Sequence, residues 1–292
     1  MENGELWIQA NGVKHWVRVA GAEHNTIPLI AIHGGPGGHQ WILEKTGGKL
    51  LEEFATLVYY DQRGCGRSDP PADSEEYSIE VLIDDLEQIR EALKVDRFIP
   101  IGHSFGGELA LEYALKYPQN VEKIILEGPA IGDWERLALN QIMSFISITD
   151  GEVQEKLRNL LEQEGPYTGR NGEAWKLADE QTTMAFSFFK KESYAKLVEI
   201  STDDAPKVGN EKMKQKIQEV PFSNLIGRIK EIECSVLVMT GLYDGNTGID
   251  MARDIKRNLS NSEIEIFLES GHYIQMEEPE KMAAVVREFM NR

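Results

Sequence analysis

Cysteine is scarce in this chain. Cys65 and Cys234 are the only two, too few for a disulfide framework and without the paired spacing of a zinc site. A reducing compartment is expected. Positive charge is also in deficit: 31 basic against 49 acidic side chains give a formal net charge of -18. Such a surface repels phosphate backbones and anionic lipid head groups, which argues against nucleic acid as a partner. No apolar run approaches the roughly 20 residues of a membrane helix, so no membrane partner is expected. The start, Met1-Glu2-Asn3-Gly4-Glu5, lacks the basic and apolar stretches of a secretory signal. These absences lead to the expectation of a cytoplasmic protein. Hydrophobic content of 41% with 27% charged residues suits a globular chain with a sizeable core.

What is present is an alternation of short apolar runs and longer amphipathic ones. Leu6 to Ala10 and Lys14 to Ala20 flank Asn11-Gly12, a strong hairpin signal. Pro28 to Ile32, Thr56 to Tyr60, Arg97 to Ile101 and Val121 to Leu126 are unbroken apolar runs, as strands buried on both faces require. Ser78 to Leu93 repeats its apolar residues at helical spacing, with Ser78 as N-cap, and Leu109 to Leu115 continues a second helix. The alternation stops between about Gly132 and Glu233, a charged, aromatic and helical stretch. It resumes with strands at Ser235 to Thr240 and Glu263 to Leu268 and helices at Ile249 to Leu259 and Pro279 to Met290. The expected fold is α/β: a mostly parallel, doubly wound sheet with an inserted helical cap. The expected division is a core of residues 1–131 and 234–292 and a cap of residues 132–233.

Three features inside this frame carry chemistry. Gly102-His103-Ser104-Phe105-Gly106 follows an apolar strand and precedes a helix, the context in which G-x-S-x-G presents a serine nucleophile. Side chains at the flanking glycines would collide with neighbouring backbone. The order serine, acid, histidine then points to His272, the one histidine after the cap, as the base. Asp244, just past the strand ending at Thr240, is placed to orient it; Asp250 is the nearest rival, in the helix that follows. Attack by Ser104 would create an oxyanion that needs two donors. The Phe105 N–H would supply one. The other would come from His33-Gly34-Gly35-Pro36-Gly37, with Gly35 favoured and Gly34 the alternative. His33 and His103 read as structural residues.

His33-Gly34-Gly35-Pro36-Gly37, Asp61-Gln62-Arg63-Gly64-Cys65-Gly66-Arg67-Ser68 and the Ser104 elbow together resemble the proline iminopeptidase group of α/β-hydrolases. The resemblance spans roughly residues 25 to 130 and again about 235 to the end. It implies the α/β-hydrolase fold, release of an N-terminal residue from short peptides, and no cofactor. It also implies that Asp61 and Arg63 shape the loop near the site. The chain departs from the group at the elbow, where Gly-Gly-Ser-Trp-Gly is usual. It departs again in the cap, where a Trp-x-x-Trp-Glu segment has only Trp175-Lys176-Leu177-Ala178-Asp179-Glu180 as its nearest counterpart. Trp175, Asp179 and Glu180 are therefore the candidate substrate-binding residues, the two acids as anchors for a substrate amine. Two alternatives stand beside the peptidase reading: a hydrolase of small esters, lactones or amides, and a ligand-binding relative without turnover.

Overall fold

The computed structural model describes residues 1–73, 76–201, 205–206, 209–219 and 224–292. Its centre is one eight-stranded sheet in the order β1-β2-β4-β3-β5-β6-β7-β8. The strands are β1 (Gly4–Ala10), β2 (Val13–Ala20), β3 (Leu29–Ile32), β4 (Leu57–Tyr60), β5 (Ile99–His103), β6 (Lys123–Glu127), β7 (Ser235–Gly241) and β8 (Ser262–Phe267). β1 and β2 form an antiparallel hairpin whose turn residues, Asn11 and Gly12, have φ of 43° and 77°. That conformation is what Asn-Gly supplies most readily. β2 joins β4 antiparallel, and every pairing from β4 to β8 is parallel.

Parallel strands need crossovers, and helices laid on both faces explain the continuous apolar runs. Along β7, Val236 and Val238 point into one core cluster while Leu237 and Met239 point into the other. The larger cluster takes Leu82, Leu86 and Ile89 from helix Ile79–Ala92 and Leu109 and Tyr113 from helix Phe105–Lys116. The opposite cluster takes Met282, Val286 and Phe289 from helix Pro279–Asn291. Ser78 caps helix Ile79–Ala92 by accepting the Val81 N–H at 3.3 Å.

Between β6 and β7 the chain leaves the sheet for a run of helices. Trp134–Ile148, Gly151–Glu162, Tyr167–Leu177 and Glu180–Ser187 share a small core of their own around Phe145, Ala174 and Phe186. The later part of this insertion behaves differently. Met213, Ile217, Leu225, Ile229 and Ile232 are buried in the larger core cluster under the sheet. The insertion thus returns to the core well before residue 233. Its apolar residues there serve the sheet, so composition alone does not mark the return. Among the described residues no helix is long and apolar enough to cross a membrane.

Candidate active site

The C-terminal ends of the parallel strands supply the site, as is general for open α/β sheets. β5 runs directly into the turn at Ser104, which has φ 53° and ψ -122°. A non-glycine residue there is strained by about 1–3 kcal/mol and needs firm support. The Ser104 N–H donates to the Glu127 carbonyl at 2.9 Å, and its own carbonyl accepts the N–H groups of Gly107 and Ala130 at 2.8 and 3.0 Å. The flanking glycines have a steric cause. A Cβ on Gly102 would lie 2.3 Å from the Gly106 carbonyl oxygen, and one on Gly106 would lie 2.1 Å from that of Ile32. Only hydrogen fits, so helix Phe105–Lys116 can press against β3 and push the serine outward.

Asp244 and His272 lie on the loops after β7 and β8. Asp244 Oδ2 and His272 Nδ1 are 2.9 Å apart and both side chains are buried. The carboxylate is held from the other side too. Its Oδ1 accepts the N–H groups of Asn246 and Thr247 at 2.8 and 3.1 Å, and Oδ2 accepts the Thr247 hydroxyl at 2.8 Å. Burial opposes both charges. The imidazole and the Thr247 donors outweigh it for Asp244, whose pKa falls below the usual carboxylate value. The Asp244 carboxylate outweighs it for His272, whose pKa is raised. His272 and Ser104 line one cavity of about 580 Å³.

His103 and His33 have other work. The His103 Nε2–H donates to the His272 carbonyl at 3.1 Å, and the two rings are 4.7 Å apart. Burial drops the His103 pKa to about 3, so it is a neutral brace behind His272. His33 Nε2 accepts the Gln62 N–H at 3.0 Å, which leaves Nδ1–H to donate to the Gly34 carbonyl, also at 3.0 Å. Burial holds it neutral with a pKa of about 4. His33 thereby ties the glycine loop to the Asp61–Ser68 segment. Asp61 accepts Gln40 N–H and Arg67 N–H, both at 2.9 Å, while Arg63 makes a bidentate pair with buried Asp85 at 2.6 Å on each arm.

Gly35 and Gly34 both line that cavity, beside Ser104 and His272. Gly34 approaches closest: a Cβ there would lie 2.8 Å from Ser104 Cβ. Gly35 has φ 130°, a conformation reserved for glycine. Phe105 begins its helix directly after Ser104, so its N–H belongs to the first turn, which has no partner within the helix.

A second cavity, of about 320 Å³, lies beneath the cap and also reaches Ser104. Trp175 lines it, with its indole N–H donating to Gln141 Oε1 at 3.2 Å. Asp179 and Glu180 line neither cavity. Asp179 caps helix Glu180–Ser187 by accepting the Thr182 N–H at 2.7 Å, and Glu180 accepts the Tyr194 hydroxyl at 3.0 Å. Both are exposed. Gln141, Asn171, Gln218 and Asn246 are amides lining the cap cavity, and Lys214 is a charged residue in that lining. Glu211 lines the larger cavity. None of these had a sequence signal, because each reaches Ser104 only through packing of distant segments. Among the described residues no group of three or more His, Cys, Asp or Glu side chains could hold a metal ion.

A sequence profile described as the alpha/beta hydrolase fold matches residues 27–279. The chain belongs to the α/β-hydrolase family. Similar curated proteins include a proline iminopeptidase of Saccharolobus solfataricus, 27% identical with 94% of this chain and 87% of the relative covered. Another, from Thermoplasma volcanium, is 25% identical over 100% of this chain and 97% of the relative. Among solved structures, a proline iminopeptidase-related protein from Thermus thermophilus superposes with a TM-score of 0.77 at 23% identity, covering 99% of this chain and 97% of that one. An esterase from Exiguobacterium antarcticum superposes at 0.72, also 23% identical, covering 99% and 100%. This family member is a hydrolase, and the two kinds of structural neighbour share its fold while differing in named activity.

Proposed function

We propose that this hydrolase works through an acyl-enzyme on Ser104 and releases the N-terminal residue of short peptides or amino-acid amides. The observation that carries the serine mechanism is the buried Asp244–His272 pair, whose imidazole shares a cavity with a serine on a strained strand-to-helix turn. His272 Nε2 takes the Ser104 proton as Oγ attacks the substrate carbonyl. The Phe105 and Gly35 N–H groups bind the oxyanion. His272 then passes the proton to the leaving amine, the carbonyl–nitrogen bond breaks, and water repeats the sequence on the acyl-enzyme. Asp244 keeps the Nδ1 proton in place throughout. Residues 1–131 and most of the chain after β7 supply this machinery, and the helical insertion supplies the walls. The peptidase choice rests on the curated relatives. Glu211 replaces Asp179 and Glu180 as the anchor for a substrate amine, since it lines the cavity holding Ser104 and His272.

One observation favours the second reading, a small-ester or small-amide hydrolase. Among the described residues, the cap cavity's lining carries neutral amides and a lysine but no carboxylate. Turnover of proline or alanine β-naphthylamide, set beside nitrophenyl esters, separates the two. Cleavage of the arylamides, lost in Ser104→Ala and weakened in Glu211→Gln, is the expected result. Strong ester turnover with no arylamide cleavage would overturn the peptidase reading. A folded wild-type protein that does not react with a fluorophosphonate probe would overturn the serine mechanism and revive the binding-protein alternative.

A further inference from the structure

The end of the cap's own core and the base loop meet at one buried side chain, Glu277. It lies five residues after His272, in the short helix Ile274–Glu277, and is 5% exposed. Its carboxylate serves as acceptor for backbone on two separate parts of the chain. Oε2 accepts the Gly271 N–H at 2.6 Å and the Phe189 N–H at 3.2 Å, while Oε1 accepts the Lys190 N–H at 2.7 Å. Gly271 immediately precedes His272. Phe189 and Lys190 belong to the extended link between helix Glu180–Ser187 and helix Lys191–Ile200.

The contact continues along this link. The His272 N–H donates to the Ser187 carbonyl at 2.8 Å, and the Gly245 N–H, just after Asp244, donates to the Phe186 carbonyl at 3.1 Å. Two ring pairs seal it, Phe188 on Tyr273 at 4.9 Å and Phe189 on Tyr243 at 4.3 Å. The approach is close enough that a Cβ on Gly271 would lie 2.4 Å from the Ser187 carbonyl oxygen. Both the acid loop and the base loop are therefore registered against the cap link rather than against the sheet alone.

We propose that Glu277 is a positioning residue that locks the His272 loop to the cap link, so that the base holds its place only while the cap is seated. The proposal rests on the serine mechanism above. A carboxylate is required because the three N–H groups all point inward and offer no acceptor of their own. An amide in its place would turn a donor towards at least one of them, leaving that pair of groups repelling and unsatisfied. The resulting shift of the base loop would be small, yet a misplacement of about 1 Å in a reacting group costs up to about 100-fold in rate.

The test is the labelling rate of the full chain by a fluorophosphonate probe, together with ester kinetics and their pH profile. In Glu277→Gln the labelling rate and kcat fall by about 10–100-fold with KM little changed. The imidazole is faced by Asp244, Glu127, His103 and Tyr273. Loosening it from Asp244 lowers its pKa, so the acid limb of the profile moves to lower pH. A merely structural loss would reduce the amount of active protein without moving that limb. If Glu277→Gln fails to fold, Lys190→Pro, measured against Lys190→Ala, removes one clamp donor from the cap side and shifts rate and limb in the same directions. Labelling at the wild-type rate per folded molecule with an unmoved limb would overturn the clamp. Failure of the wild-type protein to label would instead overturn the mechanism on which the clamp rests.

Discussion

Replacing Asp244 by Asn should inactivate the enzyme without unfolding it, and the local hydrogen bonds say why. Asp244 Oδ1 accepts two backbone donors, the N–H groups of Asn246 and Thr247. An Asn side chain keeps these only by leaving its carbonyl oxygen at that end. Its NH₂ group must then occupy the Oδ2 position, facing His272 Nδ1 at 2.9 Å and Thr247 Oγ1 at 2.8 Å. The threonine hydroxyl can rotate to accept one amide hydrogen. The other hydrogen is donated to Nδ1, and the imidazole proton moves to Nε2. The side of the ring facing Ser104 then carries a hydrogen and cannot accept one. Inverting the tautomer in a serine triad lowers kcat by about 10⁴, or about 5.5 kcal/mol at 1.36 kcal/mol per decade. The Thr247 hydroxyl hydrogen gives up its acceptor while the other groups keep theirs, so thermal stability should fall by no more than about 1–3 kcal/mol. The assay is kcat on a nitrophenyl ester, with circular dichroism melts of both proteins. A loss under about tenfold at unchanged stability would refute this account of Asp244.

The remaining predictions follow from single contacts. His272 must be neutral to accept the serine proton, and its pKa is raised by Asp244 against the effect of burial. Activity should therefore rise with pH through a midpoint above the ordinary histidine value of about 6.5; a midpoint below it in kcat/KM would contradict the pairing. Gly106→Ala places a methyl 2.1 Å from the Ile32 oxygen and 2.9 Å from that of His33. It should destabilise the protein by about 1–3 kcal/mol or more, as overpacking does, seen as a lower melting temperature. The double change Asp179→Asn and Glu180→Gln keeps a capping side chain at position 179. It should leave kcat/KM on proline arylamide within about twofold of wild type; a tenfold rise in KM would restore these residues as amine anchors.

The contrast between Ser104 and Asp179 marks how far the sequence could be read. Ser104, Gly102 and Gly106 are legible because their constraint is local. The strand leads into the turn, the turn needs glycine on both sides, and all of it lies within five consecutive residues. The buried strands are legible for a related reason: two covered faces leave no room for alternation. Asp244 and His272 are less local, but each stands just beyond a readable strand, and chain order decides between them and their rivals. The cap offers no such local rule. By residue type Asp179 reads as an anchor for a charged amine, yet its side chain accepts the backbone N–H of Thr182 three residues on, as a helix N-cap does. Its charge is spent on the backbone. Gln141, Asn171 and Lys214 reach the cavity from separate helices, and no spacing in the chain brings them together.

Glu127 shows how the same tertiary logic extends beneath the triad. It ends β6, and its backbone carbonyl receives the Ser104 N–H while its buried carboxyl receives the Gln275 N–H at 3.0 Å, three residues beyond His272. One residue thus holds the nucleophile's turn through its main chain and the base loop through its side chain. Burial pushes its carboxyl up to about 8, against the pull of Gln275 and His272. A group so shifted is largely protonated at neutral pH, so it adds little negative charge beside Asp244. The consequence is a division of labour between two carboxyl groups near one imidazole. Asp244, with four donors on its oxygens, stays charged and in the proposed mechanism orients His272. Glu127, with burial as its dominant influence, fixes the frame without competing for the proton on Nδ1. Environment, rather than residue type, assigns the two roles.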